Sequence, residues 1–361
     1  MSSDAVLVIA VAAALAFGFS NGFQDTFDVI STLVSTGAAP PHLAIAGSAL
    51  LNFAGAFISV AVAATIAREV VEAAAITPAV VLAGVLAAIT WNVGTWRLGL
   101  PSSSSHALIG GVVGATIAAA GTGAVFGDEI LSKVLIPALL APLAALALAT
   151  VAIVLAYRLF GHRRPGPVTR GFRLAQLVSG GLLALGHGAN DAQKTMGVIA
   201  LALIANGTLN GNADPPLWTT IAAATAIALG TYVGGWRVLR AAGRRVIKMD
   251  AAQAFSAQSS GAAVILASTH LGFPLSTTHV TNAAVMGAGA GKRVSAVRWG
   301  VAGNLVAAWL LTLPAAAAMG AAAYGFSRAF GTGVLGPAVL ALVAVLVAAF
   351  VLGRRLRAGT E

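Results

Sequence analysis

Two nine-residue stretches hold the densest run of polar chemistry in the chain. They are Leu98-Gly-Leu-Pro-Ser-Ser-Ser-Ser-His106 and Leu271-Gly-Phe-Pro-Leu-Ser-Thr-Thr-His279. Each sets a proline, a row of hydroxyls and an imidazole between long apolar runs. In hydrocarbon an unsatisfied group of this kind costs roughly 2–7 kcal/mol, so a chain that keeps two copies is using them. Serine and threonine are good N-caps and proline suits a first helical turn, so a helix is expected to begin inside each hydroxyl run. Two such N-termini would combine free N–H groups and positive dipole ends with the hydroxyls of Ser103, Ser104, Ser105, Ser276, Thr277 and Thr278. That is a receptor for a tetrahedral oxyanion. His106 and His279 have three available roles: bonding the turn backbone, touching the anion, or carrying a proton.

Two carboxylates lie in equally apolar surroundings, Asp25 in Ser20-Asn-Gly-Phe-Gln-Asp25 and Asp191 in Gly186-His-Gly-Ala-Asn-Asp191. An intramembrane carboxylate is a functional candidate by default. An anion receptor gains nothing from two like charges. They make sense as ligands for Na⁺ or protons whose positive charge bridges to the anion. Gln24, Asn190, Asn21 and Gln193 supply neighbouring neutral oxygens of the kind a hard cation needs. Asp28 and Lys194 stand three residues past each aspartate, and are read either as a buried pair or with Lys194 contributing to the anion site. His187 is a further candidate beside them.

The elements that must carry these groups follow from composition. Of 361 residues, 58% are hydrophobic and only 9% charged, with mean hydropathy +0.90. Soluble domains carry about 25% charged residues. A soluble interior has no room for this much apolar surface, so the chain reads as an all-α polytopic membrane protein. The net charge of +10 raises nucleic acid as a partner. The Arg and Lys residues, however, sit in short loops between apolar runs, which is the positive-inside pattern, and no nucleic-acid partner is expected. The absence of cysteine excludes disulfides and thiolate metal sites. The opening apolar run lacks a basic leader and is read as a first span rather than a cleaved signal.

Apolar segments are expected at 5–36, 43–67, 78–98, 105–126, 134–160, 174–205, 217–239, 252–271, 278–290, 297–325 and 334–352. The first and sixth are interrupted by the Asp25 and Asp191 elements, which predicts two broken helices. The segment 278–290 is too short to span and pairs with 252–271 as a re-entrant hairpin. Its counterpart around Pro101 is read either as a second hairpin or as two crossings. Asp25 and Asp191 lie 166 residues apart, and Pro101 and Pro274 lie 173 apart, in the same order. Two anchors at such similar offsets mark a repeat. Its parts are 1–160, a basic cytoplasmic linker at 161–173, a second repeat at 174–325, and an extra helix with a basic tail at 326–361. Equivalent loops carry opposite charge character: Arg68-Glu-Val-Val-Glu72 against the basic Arg240–Asp250 loop, and Asp128, Glu129 and Lys133 against Lys292, Arg293 and Arg298. Equivalent loops on opposite faces make an inverted-topology repeat, with the N-terminus outside and the C-terminus inside.

The Asn21-Gly-Phe-Gln-Asp-Thr26 and Gly188-Ala-Asn-Asp191 elements, with the two Pro-[Ser/Leu]-Ser-[Ser/Thr]-[Ser/Thr]-His turns, resemble the inorganic phosphate transporter family, in particular its bacterial low-affinity permeases. The likeness covers about residues 5–325. It implies a symporter in the cell membrane rather than an enzyme, importing inorganic phosphate or a metal–phosphate complex with H⁺ or Na⁺ and no cofactor, often as a homodimer. It maps Asp25 and Asp191 onto the signature aspartates, and the Ser/Thr run onto the phosphate-contacting hydroxyls. Gln24 and Asp28 depart from the family's usual residues. Sulfate or another tetrahedral oxyanion is the competing substrate; Asp25 or Asp191, as a substrate residue accepting from P–OH, would favour phosphate over it. A passive anion channel would not need paired aspartates, and an intramembrane Ser/His hydrolase would not need both elements twice.

Overall fold

In a chain this poor in charge every backbone N–H and C=O must find an internal partner, and runs of Ala, Leu and Val satisfy them as helices. A computed structural model describes residues 2–98, 102–242, 249–296, 299–331 and 333–358. Pro101 of the first motif, Arg244, Arg245 and Lys248 of the basic loop, and Arg298 lie outside the described residues. In order, the helices are α1 (Ser2–Ser35), α2 (Pro41–Gly55), α3 (Ala61–Arg68), α4 (Pro78–Leu98), α5 (Ser104–Ala120), the single turn α6 (Gly127–Glu129), α7 (Ile136–Phe160), α8 (Pro165–Ala205), α9 (Leu217–Ala242), α10 (Ala251–His270), α11 (Thr277–Lys292), α12 (Trp299–Ala329) and α13 (Leu335–Ala358). An isolated bridge pairs Val71 with Val125. Among the described residues, five helical stretches are long and apolar enough to cross a membrane: 4–35, 78–98, 127–160, 217–236 and 306–329.

Three expectations are corrected. The predicted broken helices are continuous: α1 runs 34 residues through Asp25, and α8 runs 41 residues through Asp191. Neither interruption contains proline, and glycine costs a helix only about 1 kcal/mol. The polar side chains leave an unbroken ladder from one face and find partners on neighbouring helices. The segment expected at 43–67 is instead two helices, α2 and α3, parted at residues 56–60. The basic stretch 161–173 is only briefly a loop, because Pro165 starts α8 with Arg170 and Arg173 already on the helix. Proline tolerates a first turn because its missing N–H would be unbonded there anyway.

The helices cross at glycines, and the crossings run between the two halves of the chain. A Cβ on Gly22 of α1 would sit 2.2 Å from the Ile227 carbonyl oxygen of α9, and one on Gly230 of α9 would sit 2.1 Å from that of Phe19. A Cβ on Gly188 of α8 would lie 2.1 Å from the Asn52 oxygen of α2, and one on Gly55 of α2 would lie 2.1 Å from that of Leu185. Gly188 and Leu185 stand 166 residues after Gly22 and Phe19, and Asn52 and Gly55 stand 175 before Ile227 and Gly230. The same exchange recurs further along. Gly114 of α5 meets the Ala317 carbonyl of α12, and Gly287 of α11 meets that of Leu146 on α7. Gly188→Val should therefore cost about 1–3 kcal/mol or more by driving α2 off α8. Thermal unfolding in detergent would show it as a lowered midpoint, with Gly94→Val, at a glycine with open space beside it, as the matched control.

The described parts of both motifs lie at the tips of helix pairs, where α4 ends and α5 begins and where α10 ends and α11 begins. In the first, α4 and α5 lie so close that a Cβ on Gly84 would be 2.7 Å from the Val112 nitrogen. In the second, Gly272 takes a positive φ of 77° to turn α10 into α11. The tips meet: the His106 and His279 rings stack with centroids 6.1 Å apart. Ser105 Oγ donates to the Leu275 carbonyl at 2.5 Å. At 17 and 16 residues, α5 and α11 reach about 25 Å, less than the ~30 Å of a bilayer's hydrocarbon.

Candidate functional site

The site builds outward from α8, where His187, Asp191 and Lys194 share one face at helical spacing. Asp191 is fully buried and takes four partners. Lys194 Nζ bonds its Oδ1. Asn21 Nδ2 of α1 donates to its Oδ2 at 3.1 Å, and Thr277 Oγ1 at the start of α11 donates to the same oxygen at 3.0 Å. His187 Nε2 lies 3.1 Å from that oxygen and 3.9 Å from Asp25 Oδ2. Asp25 is 13% exposed and accepts from Thr278 Oγ1 at 3.2 Å. Two successive hydroxyls of α11 therefore serve both aspartates, one from each half of the chain. Asp28 also reaches Thr278.

His187 is a secondary candidate in the sequence, and the fold makes it central. Asn52 of α2 donates through Nδ2 to Thr231 Oγ1 at 2.7 Å, which turns its Oδ1 toward His187 Nδ1 at 3.1 Å. Nδ1 is then the proton-bearing nitrogen. Nε2 faces two carboxylates, where only a second proton or a metal cation would be welcome. Asp25, His187 and Asp191 each offer a ligand atom within 4.8 Å of the others. The signal in the sequence is the four-residue spacing of His187 and Asp191. Asn52 and Thr231 carry no signal, because only the α2–α8 and α2–α9 contacts bring them in.

The remaining candidates fall into three groups. Ser103 and Ser276 are N-caps: Ser103 Oγ accepts from the His106 N–H at 3.2 Å and touches Nδ1 at 2.7 Å, and Ser276 Oγ accepts from the His279 N–H at 3.4 Å. Ser105 ties one tip to the other, and Ser104 is half-buried at the start of α5. The first N–H groups of α5 and α11 have no intrahelical partner, so two positive helix ends converge at the hairpin tips. A second group faces elsewhere. Gln193 Oε1 caps α3, accepting from Val62 N at 2.8 Å and Ala63 N at 3.2 Å. Asn190 Nδ2 holds the second hairpin through Thr269 Oγ1 and the Phe273 carbonyl. Gln24 is half-buried on α1, outside the set of side chains that bond the aspartates. The third group is Asp28 and Lys194: of their two readings the buried pair does not form, because Lys194 reaches back one turn to Asp191, the shorter path for a buried ammonium. His279 packs on the Trp309 ring with centroids 4.8 Å apart, and neither of its ring nitrogens has a hydrogen-bond partner among the described residues.

Ser103→Ala should cost about 1 kcal/mol through loss of the α5 cap. The expected result is a lowered unfolding midpoint, which Ser103→Asp, a competent cap, restores.

Comparison with known proteins bears on what this arrangement serves. The model of the Phosphate transporter family matches residues 21–169 and 161–320. A protein of Mycobacterium tuberculosis described as a probable low-affinity inorganic phosphate transporter is 48% identical over 95% of this chain and 83% of its own length. Proteins of the same description from Rhizobium meliloti and Bacillus subtilis are 43% and 40% identical, each over 88% of this chain and 96% of theirs. Among solved structures, one described as the sodium-dependent phosphate transporter shares the fold, with a TM-score of 0.77 and 23% identity over 89% of this chain and 98% of that one. On the family match and these identities, the chain is a transporter rather than an enzyme and belongs to the phosphate transporter family.

Proposed function

We propose that this protein is a secondary active symporter that imports inorganic phosphate, coupled to H⁺ or Na⁺, by alternating access. The observation that carries the reading is the meeting of two hairpin tips, each with a helix N-terminus, beside a buried carboxylate cluster drawn from both halves, with Thr277 and Thr278 of one tip bonded to Asp191 and Asp25. Positive helix ends suit the phosphate oxygens, and the carboxylates suit the coupling cation. The relatives' shared description as inorganic phosphate transporters supports the substrate. Three carboxyl groups, Asp25, Asp28 and Asp191, stand beside Lys194 and His187, a surplus of acidic side chains that suits a bound cation. The His187 nitrogen in that cluster suits a proton better than Na⁺, which seeks oxygen ligands. The structural neighbour is described as sodium-dependent, which favours Na⁺, and its likeness to this chain is one of fold.

In this reading α4–α5 and α10–α11 are re-entrant hairpins entering from opposite sides of an inverted repeat. The exchanged glycine crossings support it, since they recur at the offset of the two motifs. The loop charges support a plasma-membrane orientation with the N-terminus outside and the C-terminus in the cytoplasm. Exposed apolar residues on α7 and α12, such as Leu139, Leu143, Leu310 and Leu311, then face lipid or a second copy.

The test is uptake of labelled phosphate into proteoliposomes under an imposed Na⁺ gradient or an imposed pH gradient, one at a time. One of the two should drive accumulation. Flux indifferent to both would replace the symporter with a channel. Strong competition by sulfate with none by arsenate would replace phosphate with sulfate.

A further inference from the structure

Asn92, near the end of α4, is 1% exposed, yet neither its Oδ1 nor its Nδ2 has a hydrogen-bond partner among the described residues. A buried amide bare at both ends is costly, and native proteins keep such groups where something else satisfies them. Nothing in the sequence singles it out, and none of the motifs contains it.

Two contacts fix where Asn92 points. Gly84 marks the face of α4 that meets α5, against Val112. Trp96 marks the face that meets α1, with its ring 5.9 Å from that of Phe23. At about 100° per residue, Asn92 lies roughly 80° round the helix from Gly84 and roughly 40° short of Trp96. It therefore faces the crevice between α5 and α1. Its height follows from the hairpin register. Gly84 is level with Val112, and eight residues further along α4, about 12 Å, brings the chain level with the Ser103–Ser104 start of α5. The bare amide and the first turn of α5 thus share one crevice. Phe23, two residues from Asp25, lies on its far wall.

We propose that Asn92 is a further substrate-binding residue that completes the oxyanion site on the first hairpin and favours phosphate over sulfate. This rests on the phosphate-transport reading above. An amide offers both halves of what a protonated phosphate presents. Nδ2 donates to a P–O⁻ oxygen held at the α5 N-terminus, and Oδ1 accepts from P–OH. Sulfate at neutral pH has no hydroxyl to give, so it leaves Oδ1 bare. Groups that only donate, such as a lysine ammonium or the backbone N–H groups of a helix N-terminus, recognise the two ions alike.

Asn92→Leu, of similar volume, separates binding from structure. The expected result is a KM for phosphate at least tenfold higher, a maximal rate within about threefold of the parent at equal protein, and a higher unfolding temperature for the phosphate-free protein, because the bare amide is gone. The advantage of phosphate over sulfate as a competitor should shrink in the same variant. If Asn92→Leu does not fold, Asn92→Ser carries the same KM test with a smaller polar group. A KM within twofold of the parent in the variant that folds would overturn the proposal, whatever happens to its stability or maximal rate. The parent serves as the control on the wider reading. If it neither takes up phosphate nor is stabilised against heat by it, the transport reading is what fails. If it does both and the variant matches it, only the role of Asn92 fails.

Discussion

Asp191→Asn should abolish phosphate uptake and also weaken the fold, by about 3–5 kcal/mol, because it strands Lys194 as an uncompensated buried cation. Lys194 is fully buried and its ammonium bonds Asp191. With its oxygen in the Oδ2 position the neutral amide still accepts from Asn21 and Thr277 but sets its NH₂ against the ammonium; turned over, it accepts from Lys194 and sets the NH₂ against Asn21, Thr277 and His187. On sequence alone Asp191 reads as a functional residue, with no partner in the fold assigned to it. The burial of both partners changes that expectation. The two effects come apart in the double variant Asp191→Asn/Lys194→Met, which removes the stranded charge. Its unfolding temperature should recover most of the loss while uptake stays at background. Recovery of uptake along with stability would show that Asp191 serves the fold alone.

Asp25→Asn is expected to separate differently. Asp25 is partly exposed, accepts one hydrogen bond from Thr278, and lies 3.9 Å from His187. An asparagine oxygen can keep the Thr278 bond, so stability should change by no more than about 1 kcal/mol. Gradient-driven accumulation should nevertheless fall to background, because the negative charge facing the coupling cation is lost. Measuring uptake and thermal unfolding on the same preparation checks both halves. A variant that still accumulates phosphate against a gradient would remove Asp25 from the coupling site. The contrast between two aspartates at equivalent sequence positions is itself informative. Asp191 is locked among four partners, and Asp25 is held loosely.

That inequality extends beyond the carboxylates. Thr32 and Ser179 both bond Gln258 of α10, at 2.7 and 2.8 Å, and Thr36 bonds Gln176, which in turn reaches the Ala251 carbonyl. This buried polar seam ties α1 and α8 to the second hairpin. Shifted by the repeat offsets, its positions become Val198, Ala13, Val85, Ala202 and Ala10, which join one apolar core. A repeat detected from its motifs does not reveal that its two hairpins are seated by opposite chemistry.

What the amino-acid sequence determined by itself was the class of molecule and the whereabouts of its chemistry. Composition demanded a helical membrane protein, since so much hydrocarbon has no other place to go. The duplicated Pro–hydroxyl–His motifs and duplicated aspartates located the residues that the fold gathers at the hairpin tips, because polar groups there are too costly to keep without use. Helix continuity is not legible in the sequence because glycines beside polar residues look like breaks. Only the crossings at Gly22 and Gly188 show that those glycines admit a neighbouring backbone. Partner choice was beyond the sequence for a related reason. Whether Lys194 meets Asp28 or Asp191, whether Gln193 caps α3 or turns toward a cation, and whether Asn52 orients His187 all depend on which helix lies alongside. Distances of a few ångströms between residues far apart in the chain decide those bonds, and only tertiary packing sets them.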